Sequence, residues 1–123
     1  MIRVYEYAGC STCRKALAWL DKKGVRYEKV PIVETPPSKA ELRRMAKLVG
    51  GFRKLFNTSG LLYRELKLGE KVRSMTEEQA LDLLSKHGKL VKRPFVLAGD
   101  SGLVGFNEAD WARNLGRNLG THT

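Results

Sequence analysis

Six residues, Ile2-Arg3-Val4-Tyr5-Glu6-Tyr7, alternate in a period of two and stop at Ala8-Gly9, and from Ser11 the apolar spacing lengthens to that of a helix. Alternation rich in β-branched and aromatic residues predicts a strand. Cys13, Leu17 and Leu20 then recur at i, i+4 and i+7 until Gly24, which predicts an amphipathic helix of roughly three turns. Cys10-Ser11-Thr12-Cys13 falls at this switch of period, leaving Cys10 at the helix entrance.

The rest of the chain can be built outward from that junction. Val25 to Ile32 fits a second strand, and strand, helix and strand in so short a stretch predict a parallel βαβ unit. Pro36-Pro37-Ser38 opens a helix in which Ser38 and Glu41 stand at capping-box spacing, Leu42, Met45 and Val49 form the apolar face, and Gly50-Gly51 ends or bends it. Thr76 and Gln79 make a second capping box ahead of Ala80, Leu81 and Leu84, so residues 34 to 89 read as mainly helical. Phe95-Val96-Leu97 and Leu103-Val104-Gly105-Phe106 flank Gly99-Asp100-Ser101-Gly102, which predicts an antiparallel hairpin. Asn107 is placed to cap a last helix from Glu108, and Gly116, Gly120 and their polar neighbours suggest a flexible tail over residues 116–123. The expected class is α/β: one domain over residues 1–123, with a mixed sheet of βαβ plus ββα type and a helical insertion.

A chain of 123 residues can bury one core without staples. No apolar run approaches the ~20 residues of a membrane span, and Met1-Ile2-Arg3-Val4-Tyr5 lacks the layout of a secretory leader. The expected location is therefore cytoplasmic, with no membrane partner. The formal charge of +10 should draw anions to the surface. Its basic residues are scattered from Arg3 to Arg117, including Lys22-Lys23 and Arg43-Arg44, rather than gathered with interleaved aromatics. That pattern reads as a solvated surface, and direct nucleic-acid binding is not expected.

A Cys-x-x-Cys motif beside a βαβ pattern reads as a thioredoxin-like redox site. The amides at a helix N-terminus are unpaired and the macrodipole is positive there, so a Cys10 thiolate should be stabilised. Cys10 is then the nucleophile. Cys13, one turn inside, is the resolving cysteine that would attack a mixed disulfide on Cys10. Arg14 can add positive potential. Two other readings remain open: the thiols could be inert core residues, or zinc ligands. Zinc would need further ligands, and the chain offers only His87 and His122, so no metal is expected. Lys92-Arg93-Pro94-Phe95 is the second informative stretch, where the Arg93-Pro94 bond is open to either isomer. If the hairpin packs beside the first strand, Arg93 comes near Cys10, where it could hold an oxyanion or stabilise the thiolate, with Pro94 as structural support.

Together, Cys10-Ser11-Thr12-Cys13-Arg14-Lys15-Ala16, Pro36-Pro37-Ser38-Lys39-Ala40-Glu41-Leu42, Arg93-Pro94 and Val104-Gly105-Phe106-Asn107-Glu108 resemble the arsenate reductase (ArsC)/Spx family. Phe56-Asn57-Thr58-Ser59-Gly60 with Tyr63-Arg64-Glu65-Leu66 is similar to its less characterised members. The resemblance implies a thioredoxin-like sheet with a helical insertion. In members that reduce arsenate, it implies that a cysteine matching Cys10 attacks the oxyanion while three arginines hold it, one of them matching Arg93. Asn57 and Phe106 stand about where the other two are expected, which removes charge complementarity for a multiply charged anion. Arg53, Lys54 or Arg64 could replace that charge, and the amides of Asn57, Thr58, Ser59 and Gly60 could cradle an anion if they form a nest.

The expected function is a thiol-disulfide redox protein that reduces a disulfide, mixed disulfide or oxyanion. No cofactor is expected to be bound; glutathione or a thioredoxin-type protein would serve as reductant and co-substrate. The alternative implied by the resemblance is an Spx-like redox switch that binds the RNA polymerase α subunit. No residue in the sequence decides between enzyme and switch.

Overall fold

The computed structural model describes residues 2–120. β1 (Ile2–Glu6), α1 (Ser11–Lys22) and β2 (Tyr27–Pro31) come first, followed by α2 (Lys39–Val49), α3 (Leu61–Glu65), α4 (Leu68–Lys71) and α5 (Glu77–Lys86). The chain then returns to the sheet as β3 (Phe95–Ala98) and β4 (Ser101–Val104) and ends in α6 (Glu108–Gly120). Short 3-10 turns at Phe52–Leu55 and Val72–Ser74 join the middle helices, and a third at Gly88–Leu90 leads from α5 toward β3. The strands lie in the order β2-β1-β3-β4. β1 runs parallel to β2, antiparallel to β3, and β3 antiparallel to β4. This is the mixed thioredoxin-like sheet that the sequence predicts.

Both faces of the central strands are covered. Tyr5 of β1 and Phe95 of β3 belong to one core, with Leu42 and Met45 of α2 and Leu81 and Leu84 of α5. Val4 and Val96 point the other way, into a second core with Ala16, Trp19 and Leu20 of α1 and Trp111 and Leu115 of α6. Each fully buried Leu or Phe contributes about 1.5–3 kcal/mol by leaving water. Burial on both sides is why Tyr5, which alternates with Val4, is also buried rather than facing solvent.

Local chemistry fixes the helix ends. The Ser38 hydroxyl accepts the Glu41 N–H at 3.1 Å, and the Glu41 carboxylate accepts the Ser38 N–H at 3.0 Å. Thr76 and Gln79 reciprocate in the same way at 3.2 and 3.0 Å. Glu41 also accepts the Tyr5 hydroxyl at 2.8 Å and pairs with Arg3 at 3.0 Å, tying α2 to the central strand. Asn107 caps α6 through the Asp110 N–H at 3.0 Å.

The element boundaries depart from the sequence reading in five places. β1 stops at Glu6, leaving Tyr7 outside the strand. β2 begins at Tyr27 rather than Val25, because the Val25 N–H closes onto the Leu20 carbonyl at the end of α1. The hairpin turn is only Gly99-Asp100, since Ala98 already pairs with Ser101, and Gly99 takes the required positive φ of 58°. Gly105 and Phe106 leave the sheet, with Gly105 at φ 72° and its N–H on the Pro94 carbonyl. At the far end, α6 runs to Gly120, past the Gly116 where a tail was expected; residues 121–123 of that tail lie outside the described residues.

Candidate functional site

Cys10 is the N-cap residue of α1, with extended backbone angles of φ −95° and ψ 114°. Its sulfur takes the place that a serine or aspartate oxygen usually fills: the Cys13 N–H donates to Cys10 Sγ at 3.2 Å. The Cys10 N–H in turn donates to the Tyr7 carbonyl at 3.0 Å, and the Arg14 N–H donates to the Cys10 carbonyl at 3.2 Å, so the backbone on both sides of the sulfur is held. The first turn of α1 carries no acidic residue, leaving its positive end uncompensated.

The two thiols are driven in opposite directions. Partial burial pushes Cys10 up, but the hydrogen bonds from the Cys13 thiol and amide, with the charge and hydrogen bonding of Arg93, outweigh it and leave Cys10 below the ordinary thiol value. Cys13 is fully buried, and that burial, followed by its hydrogen bond to Cys10, pushes it up to about 12. The two thiols are therefore unequal, Cys10 the more readily ionised and Cys13 held as a thiol, the asymmetry that disulfide exchange needs. Both cysteines are free, and Cys10 retains partial exposure.

The second partner arrives through the sheet. Antiparallel pairing of β3 with β1 sets Tyr5 opposite Phe95, which carries the preceding Lys92-Arg93-Pro94 segment to the end of β1 where Cys10 begins. The Arg93-Pro94 peptide is cis. Pro94 is buried, and its carbonyl accepts the Gly105 N–H at 2.9 Å. Arg93 is half-buried, with its guanidinium 4.8 Å from the centre of the Tyr7 ring.

These residues open onto a cleft of about 710 Å³. It is lined by Gly9 to Thr12, by Asn57, Ser59 and Gly60, by Lys92 and Arg93, and by Val104 to Asn107 with Asp110. The fold thus brings Cys10, Arg93, Asn57 and Ser59 together. Arg14 and Thr58 are exposed and do not line the cleft, and neither do Arg53, Lys54 or Arg64. Arg53 instead lies over Phe52 and donates to the Arg73 carbonyl.

Two of the four amides considered for a nest at Asn57 to Gly60 are already engaged. The Asn57 N–H is taken by the Leu90 carbonyl at 2.7 Å and the Gly60 N–H by the Asn57 carbonyl at 3.2 Å. Asn57 and Phe106 do line the cleft, at the two places where the resemblance implied arginine, and neither brings charge. Lys92 and Asp110 also line it, although the sequence reading gave neither a role. Lys92 adjoins Arg93 in sequence, so adjacency was its one available signal; nothing short of the fold brings Asp110 to the same cleft. Among the described residues no group of three or more His, Cys, Asp or Glu side chains could hold a metal, and His122 lies outside them.

The ArsC family model matches residues 5–114. YusI of Bacillus subtilis, a relative without an assigned function, is 44% identical over 89% of this chain and 94% of its own length. An arsenate reductase of Rhizobium meliloti is 35% identical over 79% of this chain and 69% of its own. The global transcriptional regulator Spx of Listeria innocua is 28% identical over 99% of this chain and 92% of its own. A solved structure, an ArsC family related protein from Bacteroides fragilis, superposes with a TM-score of 0.87 at 42% identity, covering 91% of this chain and 95% of that one.

Proposed function

This chain belongs to the ArsC family, and we propose that it is a thiol-dependent reductase acting on disulfides or mixed disulfides. The observation that carries this reading is the sulfur of Cys10 at the α1 entrance, bonded by the Cys13 amide and faced by Arg93.

In the first step the Cys10 thiolate attacks one sulfur of a substrate R–S–S–R′. The old S–S bond breaks, R′S⁻ leaves and takes a proton from water, and a Cys10–S–S–R bond forms. That bond removes the negative charge of Cys10. Burial remains the larger cause holding Cys13 protonated, but the hydrogen bond to a charged Cys10 is gone. Cys13 then attacks Cys10 Sγ; RS⁻ leaves, accepts the Cys13 proton, and a Cys10–Cys13 disulfide remains. Two electrons from glutathione or a thioredoxin-type protein, the co-substrate, restore the dithiol. No bound cofactor enters these steps, and a reducing compartment such as the cytoplasm suits them.

Arsenate fits the cleft less well. The cleft is lined by two cations, Lys92 and Arg93, together with Asp110 and the neutral Asn57 and Phe106. A multiply charged oxyanion would meet the Asp110 carboxylate there, whereas a disulfide needs only the thiolate and its partner thiol.

The test is a coupled assay with glutathione and thioredoxin systems. Consumption of reductant in proportion to added disulfide, lost in Cys10→Ser, supports the reductase; no turnover with either system removes it. The similarity to Spx over nearly the whole chain favours a second reading, a redox switch that binds the RNA polymerase α subunit. Redox-dependent capture of that subunit without turnover would establish the switch instead.

A further inference from the structure

Tyr7 contributes to neither core and keeps 38% of its surface exposed, yet it touches both halves of the site. Its carbonyl accepts the Cys10 N–H at 3.0 Å, and its ring carries the Arg93 guanidinium at 4.8 Å. The ring also rests against Gly9: a Cβ built there would lie 2.8 Å from Tyr7 Cε2, closer than carbon atoms approach. A glycine immediately before Cys10 therefore leaves the space that the ring occupies.

We propose that Tyr7 is a positioning residue for the proposed reductase: its ring, seated against Gly9, holds the Arg93 guanidinium in the cleft that Cys10 lines. This rests on the reading of Cys10 as the reactive thiolate. The physical need is plain. An arginine on a flexible stem samples many rotamers, and an aromatic face that attracts the guanidinium narrows that set. A cation held over an aromatic face beside the sulfur favours the thiolate more of the time than one that swings into solvent.

The charged and titratable groups around Cys10 come from three directions. Cys13 faces it from α1, and Lys92 and Arg93 precede β3. Asp110 lines the same cleft from α6 and is paired with Arg113. Tyr7 differs from all of them in acting through Arg93, which sets its test apart.

The experiment follows iodoacetamide alkylation of Cys10 against pH in the reduced chain, read by peptide mass. Tyr7→Leu is expected to slow alkylation below neutral pH by about two- to fivefold, the factor that an exposed cation–π contact sustains, and to raise the pH midpoint. Tyr7→Phe keeps the ring and should keep the wild-type profile. Gly9→Ala pushes the ring aside and should shift the profile in the same direction as Tyr7→Leu. In an Arg93→Leu background, Tyr7→Leu should add nothing. An unchanged midpoint in Tyr7→Leu, or an equal further shift in the Arg93→Leu background, overturns the positioning role while leaving the reductase intact. A wild-type midpoint at the ordinary thiol value overturns both.

Discussion

The backbone N–H of Cys13 donates to Cys10 Sγ at 3.2 Å, so the cysteine that would resolve the intermediate also stabilises the nucleophile before reaction. A helix N-terminus offers unpaired amides to whatever caps it, and here the cap is a sulfur. One bond thus joins the local structure of α1 to the chemistry of the cleft.

Replacing Cys13 with serine should leave Cys10 able to attack but remove the group that releases the adduct. Exposure to glutathione disulfide is expected to yield a stable adduct of one glutathione per chain by intact mass, with steady-state reduction lost. Wild type treated alike should end as the Cys10–Cys13 disulfide.

Arg93→Leu removes a cation that acts on Cys10 and should slow its alkylation at neutral pH by up to about tenfold, one unit of thiol pKa being one factor of ten in thiolate. Arg93→Lys is expected to recover only part of the rate, because a lysine lacks the planar guanidinium that lies over Tyr7. The check is the rate against pH for the three proteins.

Gly88 lies against the chain after β2, where an added Cβ would meet the Ile32 carbonyl oxygen at 1.8 Å. Both partners are backbone and buried, so neither can yield cheaply. Gly88→Ala should cost about 3 kcal/mol or more in denaturant unfolding, through overpacking.

Trp111 is 1% exposed, meets Trp19 and Phe106 edge to face, and donates Nε1–H to the Gly105 carbonyl at 3.1 Å. Trp111→Phe should cost about 1–3 kcal/mol by leaving that buried carbonyl without its donor. Because Gly105 and Phe106 line the cleft, the same variant should also lower the rate of disulfide reduction, measured at a temperature where it remains folded.

Glu41 supplies a pH dependence whose sign can be worked out. Burial pushes its carboxyl up, but the Ser38 N–H, the Tyr5 hydroxyl and Arg3 outweigh it and hold the folded value below the usual carboxylate range. A depressed carboxylate contributes stability above its unfolded pKa of about 4.3 and loses it as pH falls through the folded value. Glu41→Gln should therefore be less stable than wild type at neutral pH, and the gap should narrow in acid, as read from urea midpoints across that range.

Much of this was legible in the sequence where one local rule acts alone. The change of period around Cys10 marks the end of β1 and the start of α1, and the Ser38–Glu41 and Thr76–Gln79 spacings mark α2 and α5, because caps are local hydrogen bonds. Residues 52–74 were not resolved into elements: Leu55, Phe56, Leu68 and Val72 are buried there by contacts with distant residues, with no period to announce them. Lys92 and Asp110 reach the cleft only because β3 pairs with β1 and α6 folds back over the sheet. Tyr7 read as the last residue of a strand, and its hold on Arg93 depends on a partner 86 positions away (93 − 7).

The central claim is that Cys10 ionises below the ordinary thiol range while Cys13 does not. Titrating the ultraviolet absorbance of thiolate in the reduced protein, with Cys10→Ser as the blank, measures this directly. The expected result is one thiolate per chain, lost with Cys10, titrating below the ordinary thiol value of about 8.5. A single transition at or above that value would contradict it.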